Sequence, residues 1–269
     1  MSKYLNVFNT LAEYQAFSAS TEYVQPNVAL VKETNVLYYD YGNNKPQADM
    51  SSYKGEFQES SVGGDKYGKT AITKVNYIPS GITSLNSAFD GLSSLKELTC
   101  KIPNSVNNIE FTFNGCTSLV TSPEIPSGVT SMFGTFQHCK SLVNAPSVIP
   151  NSVINMNSTF NGCKGLVNAP EIPSGVKDMW AAFESTNIVI APDIPSGVKD
   201  VSWIFANCQS LKEVTFLMTT PLSYSMVVTN CPSLETIYVP DESVDAYKTA
   251  TGWSEFADKF KPLSSKPTK

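Results

Sequence analysis

Residues 63 to 70 read Gly-Gly-Asp-Lys-Tyr-Gly-Lys-Thr, and Gly63, Gly68, Lys69 and Thr70 satisfy the phosphate-cradling pattern G-x-x-x-x-G-K-[ST] without a mismatch. Such a loop works when a buried strand delivers it and a helix begins at its lysine. Backbone N–H groups and the positive end of the helix then meet the phosphates. Neither flank fits. The preceding stretch, Glu56 to Val62, is too polar for a buried parallel strand, and Pro79 follows Thr70 by nine residues. The four residues are read as a decoy on a glycine-rich surface loop, and no nucleotide or other cofactor is expected.

Thiol chemistry is the second candidate. His138, the single histidine, precedes Cys139, and six cysteines stand at 100, 116, 139, 163, 208 and 231. A nucleophilic thiol needs a base, and a metal site needs clustered ligands such as C-x-x-C; neither pattern occurs. The gaps 116 to 139, 139 to 163 and 208 to 231 are instead 23, 24 and 23 residues. That regularity marks one slot of a repeat filled by small apolar side chains, so reduced core thiols are expected rather than catalysis, metal or disulfides. Carboxylates form the third candidate. Glu124, Glu171 and Asp193 recur just before an isoleucine, and Glu171 with Asp193 could hold a cation or act as an acid pair; a solvated face is the plainer reading.

The elements that must position these residues follow from a period of 22 to 24. Ile-Pro pairs open near-identical phrases at Ile78, Ile102, Ile125, Ile149, Ile172 and Ile194. Eleven residues after each isoleucine stands Phe89, Phe113, Phe136, Phe160, Phe183 or Phe205. Three further on comes the small slot: Leu92, Cys116, Cys139, Cys163, Thr186 or Cys208. A leucine or isoleucine (Leu95, Leu119, Leu142, Leu166, Ile188, Leu211) then opens an L-x-x-L-x-L-like strand, clearest in Leu95 to Cys100. One unit cannot hide its apolar corners alone, so stacked units must share a continuous core. Alternation from Val201 through Trp203 to Phe205 suggests a half-buried strand with positions seven, nine and eleven after the isoleucine inward. Pro123, Pro146, Pro170 and Pro192 cannot donate to a ladder, so the sheet beside them should be short or interrupted.

These phrases resemble the BspA-like leucine-rich repeats, roughly I-P-x-x-V-x-x-I-x-x-x-A-F-x-G-C-x-S-L, from about residue 72 to 262. The end of the chain, Ser233 to Leu263, has the last repeat, a short helix and a Gly-Trp segment in that family's order. The resemblance implies an α/β repeat solenoid, β-rich with short helical turns, over residues 72–240. Residues 241–269 form a helical cap and tail, with Asp241 as N-cap and Val244 and Tyr247 inward. Residues 46–71 read as a linker or extended arm. Residues 1–45 read as a small α+β module, with a helix over 9–20 and two strands within 28–41. Its stretch from Phe8 to Gly42 is similar to modules that begin virion proteins of phages of gut Bacteroidales and related bacterial reading frames.

Composition bounds the partners. The chain has 269 residues, 41% of them apolar, enough for a sizeable core. Its 19 basic residues are all lysine against 24 acids, a net charge of −5. That argues against nucleic acid and anionic membranes. The first residues lack an apolar h-region, so no signal peptide is expected, and no window is apolar enough to insert in a membrane. If position eight after the isoleucine faces outward, Phe133, Asn157 and Trp180 form an aromatic–amide–aromatic column suited to a sugar ring or a protein hot spot. The expected function is non-enzymatic binding and display. On the resemblances above, the chain sits on a virion surface (head fibre, decoration or tail-associated). Residues 1–45 would hold other virion proteins there, and the repeats a host protein or glycan. The alternative is a BspA-like adhesin on a bacterial cell surface, and a homo-oligomer is left open.

Overall fold

The computed structural model describes the backbone of residues 5–8, 27–31 and 36–40 and, with side chains, residues 73–75, 78, 82–223 and 225–267. The phosphate-loop residues Gly63, Gly68, Lys69 and Thr70, the helix expected over 9–20 and all of 46–71 lie outside the described residues. In the N-terminal part, β1 (Leu5–Phe8) runs parallel to β2 (Asn27–Val31), which pairs antiparallel with β3 (Val36–Asp40). The two later strands were legible in the sequence; β1 was not.

From residue 82 onward the chain coils, one coil per repeat. Val106, Val129, Val153 and Val176 form one inward column. Leu85, Ile109, Met132, Met156, Met179 and Val201 form a second, and all of these are fully buried or nearly so. The phenylalanines form a third: Phe113, Phe136, Phe160, Phe183 and Phe205 stack with ring centroids 5.4 to 5.7 Å apart. Each coil therefore buries its corners only against the coil before and after it.

The segment expected to be a half-buried strand is instead a run of turns. Ala88 N–H donates to Leu85 O, Asp90 to Ser87 O and Leu92 to Phe89 O, the three-residue closures of tight turns. At the same time every second N–H points to the next coil: Leu85 to Asn108 O, Ser87 to Glu110 O, Phe89 to Thr112 O and Gly91 to Asn114 O. Both requirements are met only if the backbone turns left-handed at two fixed places. Position nine does so at Ser87, Phe111, Gly134, Ser158, Ala181 and Trp203, with φ from +51° to +59°. Position thirteen does so at Gly91, Gly115, His138, Gly162, Ser185 and Asn207, with φ from +58° to +72°. Position nine is thus a corner of the turn, buried at Gly134, Ser158 and Ala181 and half-buried at Ser87, Phe111 and Trp203, while position ten is buried in every coil: Ala88, Thr112, Thr135, Thr159, Ala182 or Ile204. The inward assignment of position nine therefore holds at Gly134, Ser158 and Ala181 and fails at Ser87, Phe111 and Trp203.

Gly162, with φ +72°, has His138 laid over it, and a Cβ there would meet His138 Nδ1 at 2.6 Å. We expect Gly162→Ala to destabilise by about 1–2 kcal/mol, chiefly through the left-handed backbone, because the exposed imidazole can swing aside. Urea unfolding of Gly162→Ala beside the combination with His138→Ala measures the two parts.

On the opposite side of each coil the sheet is discontinuous. β4 (Lys74–Val75) pairs with β5 (Glu97–Leu98), both parallel. The next coils make only single bridges, Thr121 to Asn144 and Asn168 to Ile190, where Pro123, Pro146 and Pro170 remove donors. A four-stranded parallel sheet then closes the array: β6 (Ile190–Ile194), β7 (Glu213–Phe216), β8 (Thr236–Val239) and β9 (Phe260–Pro262). β6 forms despite Pro192 because it bulges there: Ile190 faces Glu213, yet Asp193 faces Thr215.

Between β8 and β9 lies a six-residue helix, α1 (Val244–Thr249). Its Tyr247 packs with Trp253 and Phe260 at centroid distances of 5.4 Å, and Trp253 meets Phe216 at 5.4 Å. Tyr247 is buried and Val244 packs partly against the core. Asp241 does not cap a helix as expected. Its carboxylate accepts the Ser264 N–H at 2.9 Å and so ties the start of this segment to its end, which lowers its pKa.

Candidate functional site

The cysteine column shows what the thiols do. Cys116, Cys139, Cys163, Cys208 and Cys231 each donate Sγ–H to the carbonyl of the phenylalanine one coil back, Phe89, Phe113, Phe136, Phe183 and Phe205, at 3.0 to 3.1 Å. Thr112, Thr135 and Thr159 do the same from position ten toward Leu85, Ile109 and Met132 at 2.8 to 3.0 Å. These side chains are small enough for a core layer and carry one donor for a buried carbonyl lone pair. Burial drives the Cys116, Cys139 and Cys163 thiols well above their ordinary range, raises Cys208, and pushes Cys231 up to about 12. They are protonated donors, with no thiolate for a nucleophile to use. His138 is exposed on the outer turn while Cys139 faces the core, so the neighbours in sequence point apart.

The outer turns carry the aromatic candidates. Trp180 is 44% exposed, and its backbone N–H donates to Asn157 Oδ1 from the preceding coil at 2.7 Å. Asn157 N–H is in turn held by Asn155 Oδ1 at 2.8 Å. This fixes the Asn157 amide against the backbone of the coil that carries Trp180. Phe133 is only half-buried in the outward direction, because Phe111 from the coil before packs edge-on against it at 4.6 Å. The Phe111 ring occupies the space over Gly134, where a Cβ would meet it at 2.4 Å. The left-handed corner therefore brings side chains to this face that the strand assumption had hidden: Phe111, Trp203 and, one coil later, Met226, which is 45% exposed.

The opposite face holds Glu171 and Asp193. Both line a groove of roughly 780 Å³ between the coil segments 167–172 and 189–193. They do not form an acid pair. Asp193 Oδ1 accepts from Lys266 Nζ at 2.5 Å, so the ammonium of the C-terminal segment neutralises it. The third member of that carboxylate column, Glu124, pairs with Lys101 at 3.1 Å on the exposed surface.

The model of the BspA type leucine-rich repeat region, found in six copies, matches residues 60–180 and 134–251. The two spans overlap and together cover 60–251. The chain belongs to the BspA-type leucine-rich repeat family. This assignment accounts for the Phe and Cys columns as the repeat's own framework. Among solved structures, this BspA-type chain is similar to a leucine-rich repeat protein from Bacteroides ovatus ATCC 8483. The identity is 17%, over 81% of this chain and 71% of that one, with a TM-score of 0.39. It is also similar to a leucine-rich cell surface protein from Faecalibacterium prausnitzii A2-165, at 17% identity over 70% of this chain and 84% of that one, with a TM-score of 0.21. No curated protein matches it. What sets this BspA-type array apart from its own repeat pattern is confined to the two surfaces above: the aromatic outer turns and the groove of the interrupted sheet.

Proposed function

We propose that this chain is a non-enzymatic adhesin of the bacterial cell surface, binding a host protein or glycan through the face that carries Phe133, Asn157 and Trp180. The observation that carries the reading is the exposed Trp180 indole, on a backbone whose N–H is held by the Asn157 amide of the coil before. An exposed large aromatic costs solubility without adding to the core, and an indole beside an amide suits a sugar ring or an apolar hot spot. Phe111, Trp203 and Met226 extend the face along the array. In this reading residues 1–45 anchor the chain, 46–71 space it from the anchor, and 241–269 cap the last coil.

Display on a phage virion uses the same repeat face and differs only in the anchor, residues 1–45, which then dock on other virion proteins. Structural phage genes on either side of the coding sequence favour the virion, and their absence favours the bacterial surface.

The binding face is tested by Phe133→Ser with Trp180→Ser. We expect retention on host cells or on an array of host glycans to fall at least tenfold. The protein should stay folded at a cost of about 1–2 kcal/mol, mostly from Phe133, which loses its contact with Phe111. Undiminished retention by the folded double variant rules this face out.

A further inference from the structure

The groove on the interrupted sheet takes its shape from two prolines. Val189 N–H donates to Val167 O at 3.3 Å and Ile190 bridges Asn168. Beyond that point Pro170 and Pro192 stand where ladder donors would be, β6 bulges, and the two coil segments part. Val167 and Ile190, 43% and 42% exposed, give the opening an apolar wall. Glu171 and Asp193 give it two carboxylates.

One end is occupied by the chain itself. Lys266 is extended, with φ −67° and ψ 127°, and with Pro267 it lines the groove. Its ammonium donates to Asp193 Oδ1 at 2.5 Å and to Thr215 Oγ1 at 2.8 Å, and stands 6.0 Å from the centre of the Tyr238 ring. These three groups are in register on β6, β7 and β8, Asp193 opposite Thr215 and Thr215 opposite Tyr238. A carboxylate, a hydroxyl and an aromatic face in one row form a site for a primary ammonium. The Lys266 side chain is 18% exposed there, unlike an ordinary surface lysine. The rest of the groove, on the Glu171 side, keeps one carboxylate with no ion pair among the described residues.

We propose that this groove is a docking site for an extended, lysine-bearing polypeptide segment of a partner protein, and that Lys266 with Pro267 is its resident plug. Two carboxylates against one ammonium leave the groove complementary to a cationic segment. The plug shows the conformation and side chain that fit. A tethered plug acts at an effective concentration of millimolar order, so a partner must displace it through further contacts along Val167, Glu171 and Ile190.

The experiment uses the full chain with Lys266→Ala and, as probe, the peptide acetyl-Ser-Ser-Lys-Pro-Thr-amide, followed by chemical-shift changes. We expect the variant to bind it at millimolar concentration or tighter, and the parent at least about tenfold more weakly. A peptide with norleucine for lysine should not bind, and Asp193→Asn added to the variant should abolish binding. Should Lys266→Ala melt, Lys266→Gln, which keeps most of the stem, replaces it. Equal binding of the lysine and norleucine peptides overturns the proposal, as does no binding to a folded variant; Lys266 is then a strut between strands. A parent dimer that Lys266→Ala dissociates also overturns it, because the occupant is then the tail of a second copy.

Discussion

Phe160→Ala is expected to lower the unfolding free energy by about 3–5 kcal/mol, the cost of a large cavity in a core that cannot close over it. Phe160 is fully buried, with Phe136 stacked 5.7 Å on one side and Phe183 5.4 Å on the other. The neighbouring rings cannot move into the gap. Their coils are held at fixed spacing by Phe136 N–H to Thr159 O and Phe160 N–H to Ala182 O, each 2.9 Å. Because each coil packs only on its neighbours, the damage also separates the array into two weakly coupled parts. Urea unfolding should therefore show a broadened transition with a lower m-value, beyond the shift in midpoint. A loss below about 1 kcal/mol with an unchanged m-value would show that the ring stack is not what holds the coils together.

Alkaline pH should act on the adjacent column with comparable force. Cys116, Cys139, Cys163 and Cys208 are fully buried, and their thiols are raised from a reference value of 9.0. Above pH 9 the unfolded chain loses these protons while the folded chain keeps them. The folded state then binds more protons, so stability falls as pH rises; below pH 9 both states are protonated and the thiols contribute no slope. Each ionising thiol gives about 1.4 kcal/mol per pH unit at most, so these four with Cys231, which is also raised, give a slope of roughly 5–7 kcal/mol per unit once past pH 9 to 10. Tyr247, raised by burial, adds to the loss at higher pH. Urea midpoints at pH 8, 9 and 10 measure the slope, and Cys139→Ala with Cys163→Ala should reduce it by about two fifths of the thiol part. The baseline cost of those substitutions does not enter, since only the slope is compared. A stability independent of pH between 8 and 10.5 would contradict the buried donor role of the column.

Much of the repeat was legible because a solenoid writes each structural role many times. Phenylalanine at position eleven and cysteine at position fourteen recur in coil after coil, so their burial could be read from repetition alone. Position thirteen announced its left-handed backbone through Gly91, Gly115 and Gly162, the residue type that adopts it without strain. The prolines at 123, 146 and 170 announced the interruption of the sheet, since a missing N–H is a local property. On the outer turns, Asn157 and Trp180 were read as outward from the column pattern; Trp180 is exposed and Asn157 half-buried.

Position nine was not legible, because its conformation is not chosen by its own side chain. Ser87, Phe111, Ser158, Ala181 and Trp203 share no chemistry that favours positive φ. They adopt it because alternate N–H groups must reach the carbonyls of the next coil, a constraint that exists only once the coils are stacked. Phe111 and Trp203 reach the surface by that tertiary requirement. The ammonium site was hidden for another reason: Lys266 and Asp193 are 73 residues apart, and Asp193, Thr215 and Tyr238 line up only through the register of three strands. The sequence by itself determined the period, the core columns and the places where the sheet breaks, because those are local and repeated. The tertiary structure alone decided which corner faces outward and which distant charge fills the groove, because both depend on contacts between coils.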